Sequence, residues 1–302
     1  MQIKLVQAKS ILNKSKLAGD GYTLNPYLGC THSCVYCYNQ QFMKRLRPNQ
    51  LWGRFLEVKI NAPEILAKEV KKMPKKPVFL STVTDAYNYY ERKYQITRQC
   101  LEILLHPSPF SDSARPSPFD NNTSYFLNTS SKGEGKNASL KGEGWPINIL
   151  TKSDLILRDL DLLKQFKTKE VGFTLTTLDP KAAKVLESGA SSPEQRIEAL
   201  KNLHQAGIST YAFIAPILPY LTDLPAIFQV LQGLVDEIWL DSFNTSLANW
   251  QGLKEVFKKN WPDLVQQYET IFFKNRKQYL EQLRQQARVL SEKYQIPVQV
   301  YF

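Results

Sequence analysis

Hydrophobic and polar positions along the chain fall into short apolar runs separated by stretches with helical spacing. The apolar runs predict strands of a parallel sheet, which is covered on both faces. There are six of them, at residues 22–25, 77–82, 147–151, 171–177, 211–215 and 237–241. Apolar residues three and four positions apart predict helices at residues 35–44, 61–73, 96–105, 155–166 and 192–207. This order predicts an α/β fold of six strand–helix units, fewer than a closed eight-unit barrel needs.

One internal segment and the two ends of the chain depart from this pattern. The first twenty residues have no clear periodicity, and they predict no element. Residues 107–146 are rich in Ser, Asn, Pro, Gly and Lys, and this composition buries too little apolar surface to offset the entropy of ordering. They predict a disordered, low-complexity insertion. We therefore predict a core at residues 1–245, which contains this insertion, and a C-terminal helical extension with a final strand at residues 246–302.

Hydroxyl and charged residues cluster where three of the predicted strands end. Barrels of this kind place their sites at the carboxyl ends of the strands, so these side chains are predicted to face one site. They are Thr82, Thr84 and Asp85 after the second strand, Lys152 and Ser153 after the third, and Thr176 in the fourth. Ser153 also fits an ordinary helix N-cap, and the residues after the second strand fit a turn.

Three of the four cysteines, Cys30, Cys34 and Cys37, lie within eight residues in a C-x3-C-x2-C pattern. Three thiolates at this spacing can each bind one iron of a [4Fe–4S] cluster, which leaves the fourth iron without a protein ligand. An open coordination position admits a substrate or cofactor, as it does at catalytic zinc sites. The pattern therefore predicts a metal site with one reactive position.

Two other interpretations of the cysteines compete with this one. A structural zinc ion needs a fourth ligand, and His32 lies between the first two cysteines, where the short loop makes a tetrahedral set awkward. A disulfide framework would leave one of the three clustered cysteines unpaired. The fourth cysteine, Cys100, falls on the apolar face of a predicted helix and is expected to be a packed core thiol.

The cysteine spacing, with Tyr36 directly before the third cysteine, resembles the radical S-adenosylmethionine (SAM) enzymes. The wider segments 22–37 and 177–196 resemble the branch of that superfamily related to spore photoproduct lyase. The resemblance implies a partial (βα)6 barrel of the radical SAM type, with a [4Fe–4S] cluster and SAM as cofactors. It further implies that the cluster donates one electron to SAM, and that the resulting 5′-deoxyadenosyl radical abstracts hydrogen from a substrate. A flavodoxin or ferredoxin would supply the electron.

The resemblance also implies which residues contact SAM. The candidates are Tyr36, Thr82, Thr84, Asp85, Lys152, Ser153, Thr176, Glu187 and Arg196. Among them, Lys152 would pair with the SAM carboxylate, the hydroxyls at the end of the fourth strand would contact the ribose, and Glu187 and Arg196 would form an ion pair lining the pocket. The chain departs from the superfamily after its second strand, where the usual Gly-Gly-Glu-like segment is absent.

The formal net charge is +11, and residues 1–80 supply most of it, with 14 Lys and Arg against 4 Asp and Glu. A basic surface attracts nucleic acid or another polyanion. The same charge fits the solvated face and end of one helix, which carries Lys68, Lys71, Lys72, Lys75 and Lys76. Nucleic acid is therefore a candidate substrate, beside a peptide or a tRNA.

The composition of the chain indicates a cellular compartment and restricts the possible classes of function. No segment approaches the roughly 18 apolar residues of a membrane span, and the N-terminus lacks the apolar run of a signal peptide. The expected compartment is the cytoplasm, whose reducing conditions suit an oxygen-sensitive cluster. Two functions stay open: a radical SAM enzyme with a lyase-like or modifying reaction, and an iron–sulfur binding module without turnover. The polar strand ends favour the enzyme, because a structural cluster needs no pocket beside it.

Overall fold

The computed structural model describes residues 1–15, 20–107, 144–246 and 248–302. Its strands are β1 (Gln2–Val6), β2 (Leu12–Ser15), β3 (Gly21–Leu24), β4 (Tyr27–Leu28), β5 (Phe55–Lys59), β6 (Val78–Leu80), β7 (Ile147–Thr151), β8 (Lys169–Thr174), β9 (Ser209–Ile217), β10 (Glu237–Ser242) and β11 (Val298–Val300). Its helices are α1 (Asn39–Leu46), α2 (Ala62–Glu69), α3 (Glu91–Tyr94), α4 (Ile96–Leu105), α5 (Leu160–Leu163), α6 (Pro180–Leu186), α7 (Pro193–Gln205), α8 (Leu224–Leu231), α9 (Trp250–Asn260), α10 (Pro262–Glu269) and α11 (Arg276–Tyr294). A 3-10 helix at Asp154–Asp159 precedes α5, and a π-helix at Thr270–Lys274 precedes α11.

The predicted α/β fold with a parallel sheet is confirmed. The main sheet has the order β11-β10-β9-β8-β7-β6-β3-β2, and every neighbouring pair is parallel except β2 with β3. All six predicted strands are present. The final strand, β11, pairs with β10 and adds a seventh parallel strand. The described strands form an open row, as a partial barrel requires.

The prediction that residues 1–20 contain no helix or strand is wrong. Strands β1 and β2 both form there, and β1 joins β5 and β4 in a separate sheet with the order β1-β5-β4. Ile3 and Leu5 alternate with Gln2 and Lys4, but the run is only five residues long and most of its side chains are exposed, so the sequence signal is weak. Its stability comes from parallel pairing with β5, which is a long-range contact.

Three helices differ from their predicted bounds, and one of them, α2, ends at Glu69 rather than at residue 73. The helix predicted at residues 35–44 begins at Asn39, because residues 34–38 form tight turns in which Cys37 N–H donates to the Cys34 carbonyl. The helix predicted at residues 155–166 is a 3-10 helix followed by the short α5. Helix α7 begins with a capping box, in which Gln195 N–H donates to Ser192 Oγ at 3.2 Å and Ser192 N–H donates to Gln195 Oε1 at 2.8 Å.

The buried side chains form two apolar clusters. The larger one fills the space between the main sheet and its helices, and Cys100 lies in it, fully buried. The smaller one joins Cys34 and Tyr36 to aromatic residues of the C-terminal segment, namely Phe243, Phe257, Tyr268 and Phe272. The C-terminal helices therefore share a core with the segment that carries the three cysteines.

Among the described residues, no helix combines the length and apolar character needed to cross a membrane. The predicted disorder of residues 108–143 lies outside the described residues. Of the predicted insertion, residues 107 and 144–146 are described, and Trp145 is buried against Tyr22 at a ring-centroid distance of 6.0 Å.

The residues that flank 108–143 meet in space, because Trp145 N–H donates to the Leu104 carbonyl at 2.9 Å. We predict that a short Gly/Ser linker in place of residues 108–143 preserves the fold, since loop-closure entropy changes slowly with length. Thermal unfolding should shift by only a few degrees. A control deletion that also removes Trp145 should lower the melting temperature much further, because it empties a core position. Equal destabilisation by the two deletions would contradict the prediction.

Candidate active site

The three clustered cysteines lie in a loop that follows β4, and we call residues 29–38 the cysteine loop. Gly29 begins it with φ of +84°, and a Cβ at this position would collide with the Phe55 carbonyl of β5. Cys30 and Cys34 are buried, whereas Cys37 is partly exposed. Burial is the main reason why the pKa of each of the three thiols is raised to about 12. The charge of another of the three cysteines also raises each pKa. The three thiols lie within eight residues of one loop, and as thiolates they need a cationic partner.

The segment after α6 holds one side of the cysteine loop. Val35 N–H donates to the Leu186 carbonyl at 2.9 Å, and Gly189 N–H donates to the His32 carbonyl at 3.1 Å. His32 Nδ1 lies 3.0 Å from the Gly189 carbonyl, which can only accept, so Nδ1 carries the proton of this bond. A Cβ on Gly189 would collide with the Thr31 carbonyl. Only glycine allows this close approach.

The C-terminal segment holds the opposite side of the loop. Asn249 Nδ2 donates to the Val35 carbonyl at 3.2 Å and to Gln40 Oε1 at 2.8 Å. Gln40 in turn donates through Nε2 to the Cys34 carbonyl at 2.9 Å. These contacts, together with the shared aromatic cluster, fix the backbone on both sides of Cys34.

Glu187 is the centre of a buried polar network beside the loop. Its carboxylate lies 2.6 Å from Arg196 Nη2, accepts from Thr176 Oγ1 at 3.0 Å and from the Tyr36 hydroxyl, and lies 4.0 Å from Lys152 Nζ. The predicted Glu187–Arg196 ion pair is thus present, and both side chains are 1% exposed. Burial alone would raise the pKa of Glu187, but the charges of Arg196 and Lys152 outweigh it and lower the pKa. Glu187 is therefore a carboxylate.

Tyr36 and Lys152 connect this network to the cysteines. Burial, and then the Glu187 charge, raises the pKa of Tyr36 well above its usual value, so the phenol stays a hydrogen-bond donor. Lys152 Nζ lies 5.9 Å from the centre of the Tyr36 ring and lowers the thiol pKa of both Cys34 and Cys37. Lys152 is thus the cation that faces the cysteine loop from the end of β7.

Asp85 forms a second buried hub, between β6 and β7. Its carboxylate accepts from Thr151 Oγ1 and Lys152 N–H, each at 2.9 Å, and from Tyr87 N–H at 2.8 Å. His32 Nε2 lies 3.0 Å from Asp85 Oδ2, in an ion-pair contact whose alignment does not make a hydrogen bond. Burial alone would raise the pKa of Asp85, but His32 and these hydrogen bonds lower it overall. Asp85 therefore ties the end of β7 to the cysteine loop.

The other predicted residues lie around the same loop. Thr84 Oγ1 donates to the Gly29 carbonyl, and Thr82 exchanges hydrogen bonds with the Asn25 side chain at the end of β3. Ser153 Oγ accepts from Leu155 N–H at 3.4 Å and caps the 3-10 helix. The structure therefore brings Tyr36, Lys152, Thr176, Glu187 and Arg196 into one group, with Asp85 next to it. Direct contact of any of them with SAM stays a prediction.

The arrangement of donors fits a multi-iron cluster better than a single zinc ion. Within the described ranges, no three His, Cys, Asp or Glu side chains converge on a point that could hold one metal ion. His32, the predicted fourth zinc ligand, instead contacts Asp85 and Gly189. Three neighbouring thiols that do not converge on one ion suit a cluster in which each thiolate takes its own iron.

Sequence analysis missed two residues of this site. Gly189 and Asn249 hold the cysteine loop through contacts far apart in sequence, and no local pattern marks such contacts.

The buried ion pair gives a stability prediction. Arg196→Ala leaves the Glu187 carboxylate buried without its nearest cation, and we expect a loss of about 3–5 kcal/mol in the free energy of unfolding. Arg196→Met combined with Glu187→Gln removes both charges and should recover much of that loss. Urea unfolding measures the free energy of unfolding of both variants. Lys258→Ala, which breaks an exposed pair at 2.7 Å with Glu255, is the control and should cost under about 1 kcal/mol. An Arg196→Ala loss as small as the control would contradict this account.

Comparison with known proteins agrees with the geometry. The profile of the Radical SAM superfamily matches residues 24–226. An uncharacterized protein of Methanocaldococcus jannaschii is 31% identical over 284 residues, which cover 94% of this chain and 92% of the relative. An uncharacterized protein of Mycobacterium tuberculosis is 26% identical over 309 residues, covering 96% of this chain and 80% of the relative.

The fold also resembles solved structures. Spore photoproduct lyase complexed with dinucleoside spore photoproduct matches with a TM-score of 0.54 and 14% identity over 86% of this chain. A structure of that lyase with bound AdoMet gives a TM-score of 0.55 and 15% identity. The match spans 66% of the lyase chain, so this protein covers about two thirds of its length. With the superfamily profile matching two thirds of its residues and the cysteine loop inside that match, the chain belongs to the radical SAM superfamily.

Proposed function

We propose that this radical SAM enzyme holds a [4Fe–4S] cluster through Cys30, Cys34 and Cys37 and binds SAM at the fourth iron. One observation carries the proposal: three thiols, two of them buried and one partly exposed, lie in a loop that is fixed on both sides and faces a cation, Lys152, at the end of β7. The chemistry that the two cofactors supply when bound is one-electron cleavage of SAM, which yields a 5′-deoxyadenosyl radical that abstracts hydrogen from a substrate. The protein supplies position and exclusion of water.

The buried residues around the loop would define the SAM pocket. The Lys152 side chain is only 16% exposed, and its ammonium is the cation suited to the SAM carboxylate. Tyr36 and Thr176 are already bonded to Glu187, so they would hold the pocket wall in shape rather than move to meet the ligand. The hydroxyls of Thr82, Thr84 and Ser153 border the same loop and complete the proposed set.

The alternative of an iron–sulfur module without turnover has less support. A structural cluster needs ligands and a hydrophobic cover, and the second apolar cluster already provides that cover. It does not need a fully buried Glu–Arg pair with a lysine 4.0 Å away at the strand ends. Such a buried charge network is costly to maintain, and sites with this property are typically functional.

The proposed domain arrangement follows from the same contacts. Residues 1–245 would carry the cluster and SAM, and residues 246–302 would cover the cysteine loop. Asn249 and the aromatic residues of α9 and α10 supply that cover. The C-terminal extension would then help to form the active site.

The proposed substrate class is nucleic acid. The net charge of +11 favours a polyanion over a neutral peptide. The similar lyase has a structure complexed with dinucleoside spore photoproduct, which supports the same class. The lysines after α2 are a poor candidate for the binding surface, because they precede the amino end of β6, whereas the cysteine loop comes after the carboxyl end of the neighbouring parallel strand β3.

The cluster is tested by its stoichiometry. Anaerobically reconstituted protein should hold four irons and four sulfides per chain, and dithionite should drive formation of 5′-deoxyadenosine from SAM. Alanine at any of Cys30, Cys34 and Cys37 should lower the iron content and abolish SAM cleavage, because each thiolate binds its own iron. Cys100→Ala is the control and should keep both. A single zinc per chain, or an iron content that depends on His32, would contradict the proposal.

Nucleic-acid binding is tested by its dependence on salt. The logarithm of the affinity for a DNA or RNA oligonucleotide should fall linearly with the logarithm of salt concentration, with a slope set by the phosphates neutralised. Glutamate at Lys71, Lys72, Lys75 and Lys76 should weaken only this non-specific binding, while SAM cleavage persists. Binding independent of salt, or loss of SAM cleavage in this variant, would contradict the assignment.

A further inference from the structure

Helix α1 exposes an apolar stripe directly after the third cysteine. Tyr38, Phe42 and Leu46 are spaced four residues apart, so they lie on one face of the helix, and their exposed fractions are 50%, 47% and 44%. Leu51, in the connection that follows, is 75% exposed. Four large exposed apolar side chains within fourteen residues form the kind of patch that marks an interaction surface.

Three free cations border this stripe. Between Gly21 and Leu56 the chain has no Asp or Glu, but it has Lys44, Arg45, Arg47 and Arg54. Arg47 is paired with Glu57 at 2.6 Å. The other three side chains are exposed, and none makes an ion pair with any residue that the structure describes. An apolar centre with a basic rim suits a protein partner whose surface is acidic.

The same surface adjoins the proposed cluster. Its first residue, Tyr38, follows Cys37, which is the most exposed of the three cysteines. The connection that carries Leu51 and Arg54 also touches the cysteine loop, because a Cβ on Gly53 would collide with the Ser33 side chain. Helix α1 and this connection therefore lie over the loop, and a partner seated on them would be separated from the cluster by little protein.

We infer that this surface, formed by Tyr38, Phe42, Lys44, Arg45, Leu46, Leu51 and Arg54, docks an acidic one-electron carrier protein of the flavodoxin or ferredoxin class. The inference rests on the proposed function, which requires an electron from outside. The carrier loses one electron and is oxidised, the cluster gains it and is reduced, and no bond forms or breaks. Electron transfer falls steeply with distance, so the carrier must approach the cysteine loop closely.

The size and chemistry of the surface favour this partner over nucleic acid. Electron-transfer complexes are small and short-lived, so a few apolar side chains with a basic rim are enough. Nucleic acid is held mainly through its phosphates by rows of cations. Here three cations surround an apolar stripe, and the substrate would have to reach SAM among the strand ends.

The test compares two reductants and includes direct binding. In the reconstituted holoenzyme, Lys44→Glu, Arg45→Glu and Arg54→Glu together should raise the dissociation constant for an acidic flavodoxin about tenfold or more. Flavodoxin-driven cluster reduction, followed by absorbance, should slow by a similar factor. Reduction by dithionite should not change, because a small chemical reductant needs no docking. Raising the ionic strength should slow the flavodoxin reaction of the wild type but not of the variant.

Three further variants complete the experiment. Lys68→Glu, Lys71→Glu and Lys72→Glu together make the same change of charge on and after α2, away from the cysteine loop, and should leave flavodoxin binding within about twofold of the wild type. Phe42→Ala should weaken binding without a change in salt dependence. The charge-conserving variant with Lys44→Arg, Arg45→Lys and Arg54→Lys should bind flavodoxin with the affinity of the wild type.

Three results would overturn the inference. One is unchanged flavodoxin binding in the variant with glutamate at positions 44, 45 and 54. Another is an equal loss of flavodoxin affinity in the control with glutamate at positions 68, 71 and 72. The third is displacement of flavodoxin by an oligonucleotide whose affinity falls in the same variant, which would make the surface a nucleic-acid site. Binding is measured without SAM, so this test gives an answer even if SAM cleavage, and with it the proposed function, fails.

Discussion

The structure of the site depends on the buried carboxylate of Glu187. It binds residues from four separate segments: Tyr36 in the cysteine loop, Lys152 after β7, Thr176 after β8 and Arg196 in α7. Desolvation of this carboxylate is costly, and the Arg196 guanidinium at 2.6 Å compensates for it. These contacts hold the cysteine loop and the strand ends in one mutual position, and with them the three thiols and the Lys152 ammonium that faces them.

The cysteine loop has neighbours of different character on its sides. The strand ends present buried polar groups, among them Lys152 and Asp85, where a small charged cofactor could be held away from water. The C-terminal aromatic cluster packs against Cys34 and forms an apolar, buried surface on that side of the loop. Helix α1 instead presents exposed apolar and basic side chains to solvent. A one-electron reaction needs both environments, since the radical must be shielded while the electron must enter from a partner.

The local part of this arrangement could be predicted from the sequence. The six parallel strands, the capping box at Ser192 and the Glu187–Arg196 pair all have signals within a few residues, either as apolar runs or as a family pattern. Contacts between distant segments could not be predicted. Asn249 reaches Val35 across 214 positions, and β1, a run of only five residues, is held by pairing with β5. The early start expected for α1 failed because the turns around Cys37 take precedence over helix propensity.

The central claim is that three thiolates leave one iron open for SAM. The most direct measurement is the electron paramagnetic resonance spectrum of the reduced, reconstituted protein before and after addition of SAM. The account predicts a [4Fe–4S] signal whose g-values change when SAM binds, in the wild type and in His32→Ala alike. A signal that SAM leaves unchanged would mean that the fourth iron already has a protein ligand, and it would contradict the account.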